Sequence, residues 1–167
     1  MIEAREYGMT RGRSIIGLMV CLVVCFGAAE VGALFTRASI AEWYPTLQQP
    51  SWAPPPWVFA PVWIFLYAMM AVAAWLVWRK GGWAGAQGAI ELFVVQLVLN
   101  AAWSPLFFGM HSPGIAMLDL ALLWIAIVAT TVVFWRQSRT AAVLMMPYLA
   151  WSTFAGALNF AIWRMNS

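Results

Sequence analysis

Two sets of polar and aromatic side chains recur at helical spacing in the second half of the chain. Gln96, Asn100 and Trp103 follow the i, i+4, i+7 pattern, so they share one face of an α-helix. A second set follows the i, i+3, i+7, i+10 pattern and consists of Tyr148, Trp151, Ala155 and Leu158, and Asn159 lies beside it. If the two sets face each other, they line a cavity with aromatic walls and a few hydrogen-bonding groups, which is the composition of a small-ligand site. Ordinary helix packing, in which Asn and Gln hydrogen-bond neighbouring helices, explains the pattern equally well.

The segment 43–63 places four tryptophans among prolines, between two long apolar runs. Prolines lack a backbone N–H donor and stiffen the chain, and tryptophan offers a broad flat face with one polar tip. Such a loop is suited to act as a lid over a pocket for a flat, apolar ligand. The alternative is an interfacial aromatic belt at headgroup level. The Pro-Ser-Trp-Ala-Pro-Pro core favours the lid, whose predicted residues are Trp43, Tyr44, Pro50, Trp52, Pro54 and Pro55.

The composition defines the environment in which these residues work. Hydrophobic residues make up 64% of the chain and charged residues only 9%, against about 25% charged in a soluble domain. Mean hydropathy is +0.81, so we predict an integral membrane protein. The cations form no stripe, which argues against nucleic acid as a partner. The single histidine, His111, cannot form a metal site by itself, and we expect no metal.

Five apolar runs are long enough to span a bilayer, which takes about 20 helical residues. The sequence therefore predicts an all-α membrane protein, a bundle of five transmembrane helices in one domain over residues 1–167, with a lid loop at 37–55. Small residues at Gly17, Cys21, Cys25 and Gly32 recur along one stripe of the first run and allow close helix packing. The run resembles a signal peptide in part, but it reaches full spanning length, so we expect it to be retained. The predicted spans are 14–36, 56–79, 88–109, 113–136 and 139–163.

Cations predict the orientation. With five spans, seven lysines and arginines lie on the side of the N-terminus (Arg5 among them), and only Arg37 and Arg164 lie on the other. The positive-inside rule then puts the N-terminus in the cytoplasm.

Three acids fall within the apolar runs, where a charge costs roughly 2.5–3.5 kcal/mol. Glu91 lies near the start of its span and is interpreted as an interfacial acid. Asp119 is interpreted as a residue that packs or orients the helix. Glu30 has no intramembrane cation to pair with, so we expect it to be protonated or to face a wet cavity.

Several blocks of sequence resemble the tryptophan-rich sensory protein / translocator protein family (TspO/MBR), once called the peripheral-type benzodiazepine receptor. The resemblance covers most of the chain, from about Gly32 to Arg164, and several blocks occur in the family's order. The strongest block is Trp43-Tyr44 with Leu47-Gln48-Gln49-Pro50-Ser51-Trp52-Ala53-Pro54-Pro55 and Trp57-Val58. The other blocks are 96–109 and 147–164.

The resemblance implies a five-helix bundle, often a homodimer, with a ligand cavity under the first inter-helix loop. Family members bind porphyrins such as protoporphyrin IX and haem, sterols, and benzodiazepine or isoquinoline drugs. By analogy Trp52 and its prolines belong to the lid, and Trp151 is the expected porphyrin contact and the residue for any redox chemistry. Asn100 or Tyr148 would bind the polar edge of the ligand. The implied cavity lining is Ala33, Phe59, Trp63, Asn100, Trp103, Trp151, Ala155 and Leu158.

Two positions depart from the pattern of animal members. Phe160 replaces the tyrosine of their sterol-recognition stretch, which puts sterol binding in doubt. Ile115 stands where they have a tryptophan, which weakens the transfer of their drug affinity.

Three functions compete. The first is a tetrapyrrole-binding protein that acts as a sensor, regulator or carrier of porphyrins and requires no cofactor. The second is an enzyme for the light-dependent oxidative degradation of protoporphyrin IX, with Trp151 as the catalytic residue. The third is a structural membrane subunit without a ligand.

Overall fold

The computed structural model describes residues 10–167, apart from the side chain of Ala38. These residues form helices and no strand, which confirms the all-α prediction for this part of the chain. Arg5, which contributed to the predicted orientation, lies outside the described residues. The helices are α1 (Arg11–Ser39), α2 (Phe59–Ser104), α3 (Pro113–Gln137) and α4 (Arg139–Met165). Two 3-10 turns occupy Tyr44–Thr46 and Pro56–Val58, and a π-helical turn occupies Pro105–Gly109.

The predicted number of separate spanning helices is wrong. The described residues contain four helices long and apolar enough to cross a membrane, and not five. The second and third predicted spans lie in one stretch, Pro56–Gly109, because two helical segments meet directly at a kink at Gly82 and no loop of several residues separates them. The chain changes direction at Gly82 alone, so the connection is far shorter than the predicted one.

Helix α2 nevertheless folds back on itself at Gly82. Gly82 has φ +60° and ψ −166°, a backbone conformation that is essentially restricted to glycine. The Tyr67 and Asn100 side chains, 33 residues apart, are hydrogen-bonded, whereas in a straight helix with a rise of 1.5 Å per residue they would lie about 50 Å apart. The two arms, 59–81 and 83–104, therefore lie side by side.

Helix α1 packs on α2 through its stripe of small residues, as predicted. A Cβ atom at Gly17 would overlap the Trp78 ring, and one at Gly32 would come within 3.2 Å of Ser104 Oγ. Cys25, on the same stripe, is fully buried. Only 11% of the residues in the most apolar part of α1 are buried. The rest of its surface is available to lipid.

The expectation that Glu30 lacks a partner is wrong. Arg37 Nη1 donates to Glu30 Oε1 at 2.8 Å, and Nη2 donates to Oε2 at 3.2 Å. The reason is that α1 continues to Ser39 as a helix, so that Arg37 lies two turns from Glu30 on the same face and its long side chain reaches back.

Helices α3 and α4 complete the bundle. Both contact α2, and they also pack against each other. At one end of the bundle Lys80 Nζ donates to the Gln137 carbonyl at 3.3 Å, and the Ser138 hydroxyl caps α4 by accepting from the Ala141 amide. At the other end the loop from 40 to 55 connects α1 to α2, and its Gln48 amide is hydrogen-bonded to Asn166 at the end of α4.

Candidate functional site

The loop is anchored on the π-helical turn at the end of α2. Because Pro105 has no N–H to donate, the α-helical pattern changes here, and the Met110 amide donates to the Pro105 carbonyl at 2.8 Å. This turn places Phe107 and Phe108 beneath the loop, where both are buried. Tyr44 lies 6.4 Å and 5.8 Å from the two rings between centroids. Burial raises the pKa of the Tyr44 hydroxyl, so the phenol stays neutral at physiological pH.

Trp43 fixes the start of the loop. Its ring packs edge-on against Phe107 at 5.5 Å and stacks on the His111 imidazole at 4.3 Å with an interplanar angle of 20°. His111 Nε2 lies 3.4 Å from Ser39 Oγ, and that hydroxyl donates to the Phe108 carbonyl at 2.8 Å. The lone histidine of the sequence thus forms part of the support for the loop.

The middle of the loop is attached to the end of α4. Asn166 Oδ1 accepts from the Gln48 amide at 2.9 Å, and Asn166 Nδ2 donates to the Gln48 carbonyl at 2.9 Å. The same Nδ2 group donates to the Ile162 carbonyl at 2.7 Å. One side chain therefore connects the loop to α4 through two backbone groups.

The proline-rich half of the loop turns the chain towards α2. The Ala53 amide donates to the Pro50 carbonyl at 2.9 Å and closes a turn that contains Trp52. Pro54 is half-buried and Pro55 is exposed, and the backbone then enters the 3-10 turn that leads into α2. Trp52 stays 48% exposed, with its ring 5.8 Å from Phe154.

A continuous series of aromatic rings leads from Trp52 into the bundle. Phe154 lies 5.4 Å from Trp151, and Trp151 lies 5.9 Å from Phe59 on the facing arm of α2. Such separations are those of interacting aromatic pairs. The predicted residues Trp52, Phe59 and Trp151 therefore belong to one cluster, and the unpredicted Phe154 connects them.

Deeper in the bundle Trp63 and Tyr148 meet at 6.2 Å, and Trp63 lies 5.7 Å from Tyr67. Asn100 joins the two tyrosines: its Oδ1 atom accepts from the Tyr67 hydroxyl, and its Nδ2 group donates to the Tyr148 hydroxyl at 2.9 Å. Asn100 is 6% exposed and Tyr148 is fully buried. Both arms of α2 and helix α4 are thereby connected through one amide side chain.

Trp103 has a different environment from Trp151. Trp103 Nε1 donates to Asn159 Oδ1 at 3.1 Å, and its ring stacks on Phe107 at 5.0 Å. Asn159 Nδ2 in turn donates to the Pro113 carbonyl at 2.8 Å. The indole N–H of Trp103 is thus used within the protein, whereas the buried Nε1 atom of Trp151 has no hydrogen-bond partner among residues 10–167.

The remaining predicted residues are more dispersed. Leu158 is buried in the group of side chains around Tyr44 and Phe107, and Ala155 packs against the main core. Ala33 is a half-buried residue of α1, next to the Gly32 that packs on Ser104. The aromatic cluster and the Asn100 network thus contain most, but not all, of the predicted lining.

Three polar side chains near this network are buried and have protein atoms that lack hydrogen-bond partners. Gln96 is fully buried, and neither its Oε1 nor its Nε2 atom has a hydrogen-bond partner among residues 10–167. Asp119 Oδ2 and Ser152 Oγ also lack hydrogen-bond partners there. Gln96 lies one turn from Asn100 on the same face, and Ser152 lies one turn from Tyr148. Buried polar groups are normally bonded, so these atoms are exceptions within the described residues.

Several residues of the site were missed by the sequence reasoning. Phe154 follows Trp151 by three residues and Tyr67 follows Trp63 by four, so helical spacing would have found both. Phe107 follows Trp103 by four residues, so the same spacing would have found it as well, although its place beneath the loop depends on the π-helical turn. Within residues 10–167, no group of three His, Cys, Asp or Glu side chains is placed to hold a metal ion.

The fold and this site define a class: an all-helical integral membrane protein with an aromatic cluster under a proline-rich loop. The chain belongs to the TspO/MBR family, whose family model matches residues 19–164. The match extends the resemblance seen in the sequence into the middle of α1.

Individual relatives agree with this assignment. The tryptophan-rich protein TspO of Chlorobaculum tepidum is 41% identical over 158 residues, which covers 92% of this chain and 98% of that protein. The human translocator protein is 44% identical over 138 residues, or 81% of this chain and 82% of that protein. Protein CrtK of Rhodobacter capsulatus is 39% identical over 151 residues, or 88% and 91% of the two chains.

Proposed function

We propose that this protein binds a flat tetrapyrrole, such as protoporphyrin IX or haem, beneath the loop from 40 to 55, and acts as a sensor, regulator or carrier of porphyrins. The observation that supports this most directly is Trp151: its ring contacts Phe59 and Phe154, and its buried N–H group has no acceptor in the part of the chain that the structure describes. A porphyrin disc would stack on these rings. The polar edge of the porphyrin would be hydrogen-bonded by Asn100 or Tyr148.

Membership of the TspO/MBR family, with a relative named translocator protein, is consistent with a role in binding or moving a small molecule. For this chain the porphyrin, isoquinoline and benzodiazepine ligands are proposals. The homodimer is a prediction as well, and the aromatic cluster described above is built from a single copy of the chain.

We also propose the membrane topology. Each arm of α2 is about 22 residues long, or about 33 Å, which is enough to cross the hydrocarbon core once. Six described cations lie at the Gly82 end of the bundle: Arg11, Arg13, Arg79, Lys80, Arg136 and Arg139. By the positive-inside rule this end and the N-terminus are cytoplasmic, so the loop faces the opposite side.

The test is a titration of the detergent-solubilised protein with protoporphyrin IX in the dark, followed by the porphyrin absorbance. We expect saturable binding at micromolar ligand, weakened about tenfold by Trp151→Ala, which corresponds to about 1.4 kcal/mol. Asn100→Ala should weaken it as well. Trp83→Ala is the matched control, because Trp83 is 61% exposed and lies beside Gly82 at the far end.

Absorbance changes that never saturate, or that match empty detergent, would contradict the binding proposal. Equal losses in the Trp151 and Trp83 variants would contradict the assigned site. In the first case the third function, a structural subunit in which these side chains only pack, would be the better one.

The environment of Trp151 also favours a second candidate, the light-dependent oxidative degradation of protoporphyrin IX. An excited porphyrin in contact with the ring would take an electron from the indole, and dioxygen would serve as the oxidant that is finally consumed. Trp151→Phe keeps an aromatic ring but removes the indole. We expect this variant to bind porphyrin in the dark and to lose the light-driven decay of the porphyrin bands; decay at the wild-type rate would exclude Trp151 as the catalytic residue.

A further inference from the structure

A second group of polar side chains lies at the end of the bundle opposite the loop, where the first turn of α1 meets the first arm of α2. These residues enclose an open cavity of about 420 Å³, lined by Arg11, Ser14, Ile15 and Arg79. None of them belongs to the aromatic cluster or to the Asn100 network.

Arg79 is held in position. Its guanidinium carbon lies 4.5 Å from the centre of the Trp75 ring, and Trp75 Nε1 donates to the Ser14 carbonyl at 2.8 Å. When a guanidinium group stacks on an aromatic face, the N–H groups at its edge stay free to form bidentate hydrogen bonds with an oxyanion. The Trp75–Ser14 hydrogen bond connects this arginine to the start of α1.

Among residues 10–167, the charges around the cavity have one sign. Arg11 and Arg79 face the same space, and the first turn of α1 contains no acid. The described acids lie elsewhere: Glu30, Glu42, Glu91 and Asp119 occupy the later turns of α1, the loop, the second arm of α2 and the interior of α3. Two neighbouring cations at the positive end of a helix attract an anion.

The surface that leads away from the cavity is apolar. Ile15, Ile16, Met19 and Val23 on α1 are 55% to 68% exposed. A molecule that suits both parts carries an anionic head and hydrocarbon chains. Free phosphate would satisfy only the arginines, so the continuous apolar surface favours a lipid.

We propose that Arg11 and Arg79 bind the phosphate group of an anionic membrane phospholipid, whose acyl chains run along the exposed face of α1. Basic pockets of this kind at the cytoplasmic side of helices suit anionic headgroups. This site is independent of the porphyrin proposal, because it shares no residue with it.

The experiment uses the full-length protein in nanodiscs of phosphatidylcholine, with and without phosphatidylglycerol. The number of phosphatidylglycerol molecules that remain on the folded protein after detergent extraction is counted by native mass spectrometry. We expect Arg79→Gln and Arg11→Gln to lower this retention at least threefold. Arg139→Gln is the control, because Arg139 lies at the same end and 5.9 Å from the Trp135 ring, but outside the cavity.

Equal loss in all three variants would mean a general surface-charge effect and would overturn the proposal. Inorganic phosphate added to phosphatidylcholine nanodiscs tests the other source of the same chemistry. If it raises the melting temperature of the wild type and not of Arg79→Gln, the site takes soluble phosphate and the lipid assignment is wrong. If Arg79→Gln does not fold, Arg79→Lys takes its place, because lysine keeps the charge but lacks the planar guanidinium group. This variant should still lower lipid retention. Retention at the wild-type level would contradict a guanidinium-specific site.

Discussion

Tyr67 donates a hydrogen bond to Asn100 across the two arms of α2, which meet at the kink at Gly82. The pair is possible only because the backbone reverses at Gly82. This reversal brings the first and second arms of α2 together and allows Asn100 to reach Tyr148 on α4 as well. The geometry of the candidate site therefore depends on a glycine at the opposite end of the bundle.

Gly82→Ala should destabilise the protein by about 1–3 kcal/mol, because a Cβ atom disfavours the combination of positive φ and extended ψ found there. Thermal unfolding in detergent, followed by circular dichroism, measures the change. Gly88→Ala is the matched control: a Cβ at Gly88 meets nothing within 4 Å, and alanine is the better helix former. A wild-type melting temperature for Gly82→Ala would mean that the reversal does not need glycine.

Gly17→Ala should loosen the packing of α1 on α2. The added methyl group overlaps the Trp78 ring, and overpacking of this kind costs about 1–3 kcal/mol. On the same helix Gly27 has open space around its Cβ position, so Gly27→Ala should be neutral or slightly stabilising. The two melting temperatures are compared directly, and equal values would contradict the close approach of the helices at Gly17.

Asn100→Leu should cost about 1–2 kcal/mol, because it leaves the hydroxyl groups of Tyr67 and Tyr148 buried without a partner. The triple variant that also carries Tyr67→Phe and Tyr148→Phe removes every unpaired polar group. We expect it to recover most of the lost stability. Unfolding free energies in mixed micelles provide the measurement, and a triple variant less stable than Asn100→Leu alone would contradict the network.

Asn166→Ala should free the middle of the loop, because it removes both hydrogen bonds to the backbone of Gln48. We expect hydrogen exchange at the Gln48 amide to become about tenfold faster, as for a loss of about 1.4 kcal/mol. Ser167→Ala is the control, since its hydroxyl bonds the Trp163 carbonyl and not the loop. Unchanged exchange in Asn166→Ala would show that other contacts hold the loop closed.

The aromatic core of the site illustrates how far helical spacing carries a prediction. Trp151 and Tyr148 share a face with Ala155 and Leu158, as the spacing predicted, and Asn100 does lie opposite Tyr148. Spacing along one helix gave no means to distinguish Trp103 from Trp151. The indole N–H of Trp103 is hydrogen-bonded to Asn159 on another helix, whereas that of Trp151 has no hydrogen-bond partner among the described residues. This difference arises from the register between helices.

The sequence by itself determined the membrane environment, the helical class, the proline-rich loop and the family, because each follows from composition or from residues close together in the chain. It also placed a connection between the spans 56–79 and 88–109, although as a longer loop between two helices. Only the tertiary structure decided that α2 reverses at Gly82 without a longer loop between its arms, that Arg37 pairs with Glu30, and that Trp43 stacks on His111. The Glu30–Arg37 pair depends on where α1 ends. The reversal and the Trp43–His111 contact depend on one backbone conformation at a glycine and on how helices and loops pack across space. A pattern along the chain specifies which residues share a face, but it does not specify which faces meet.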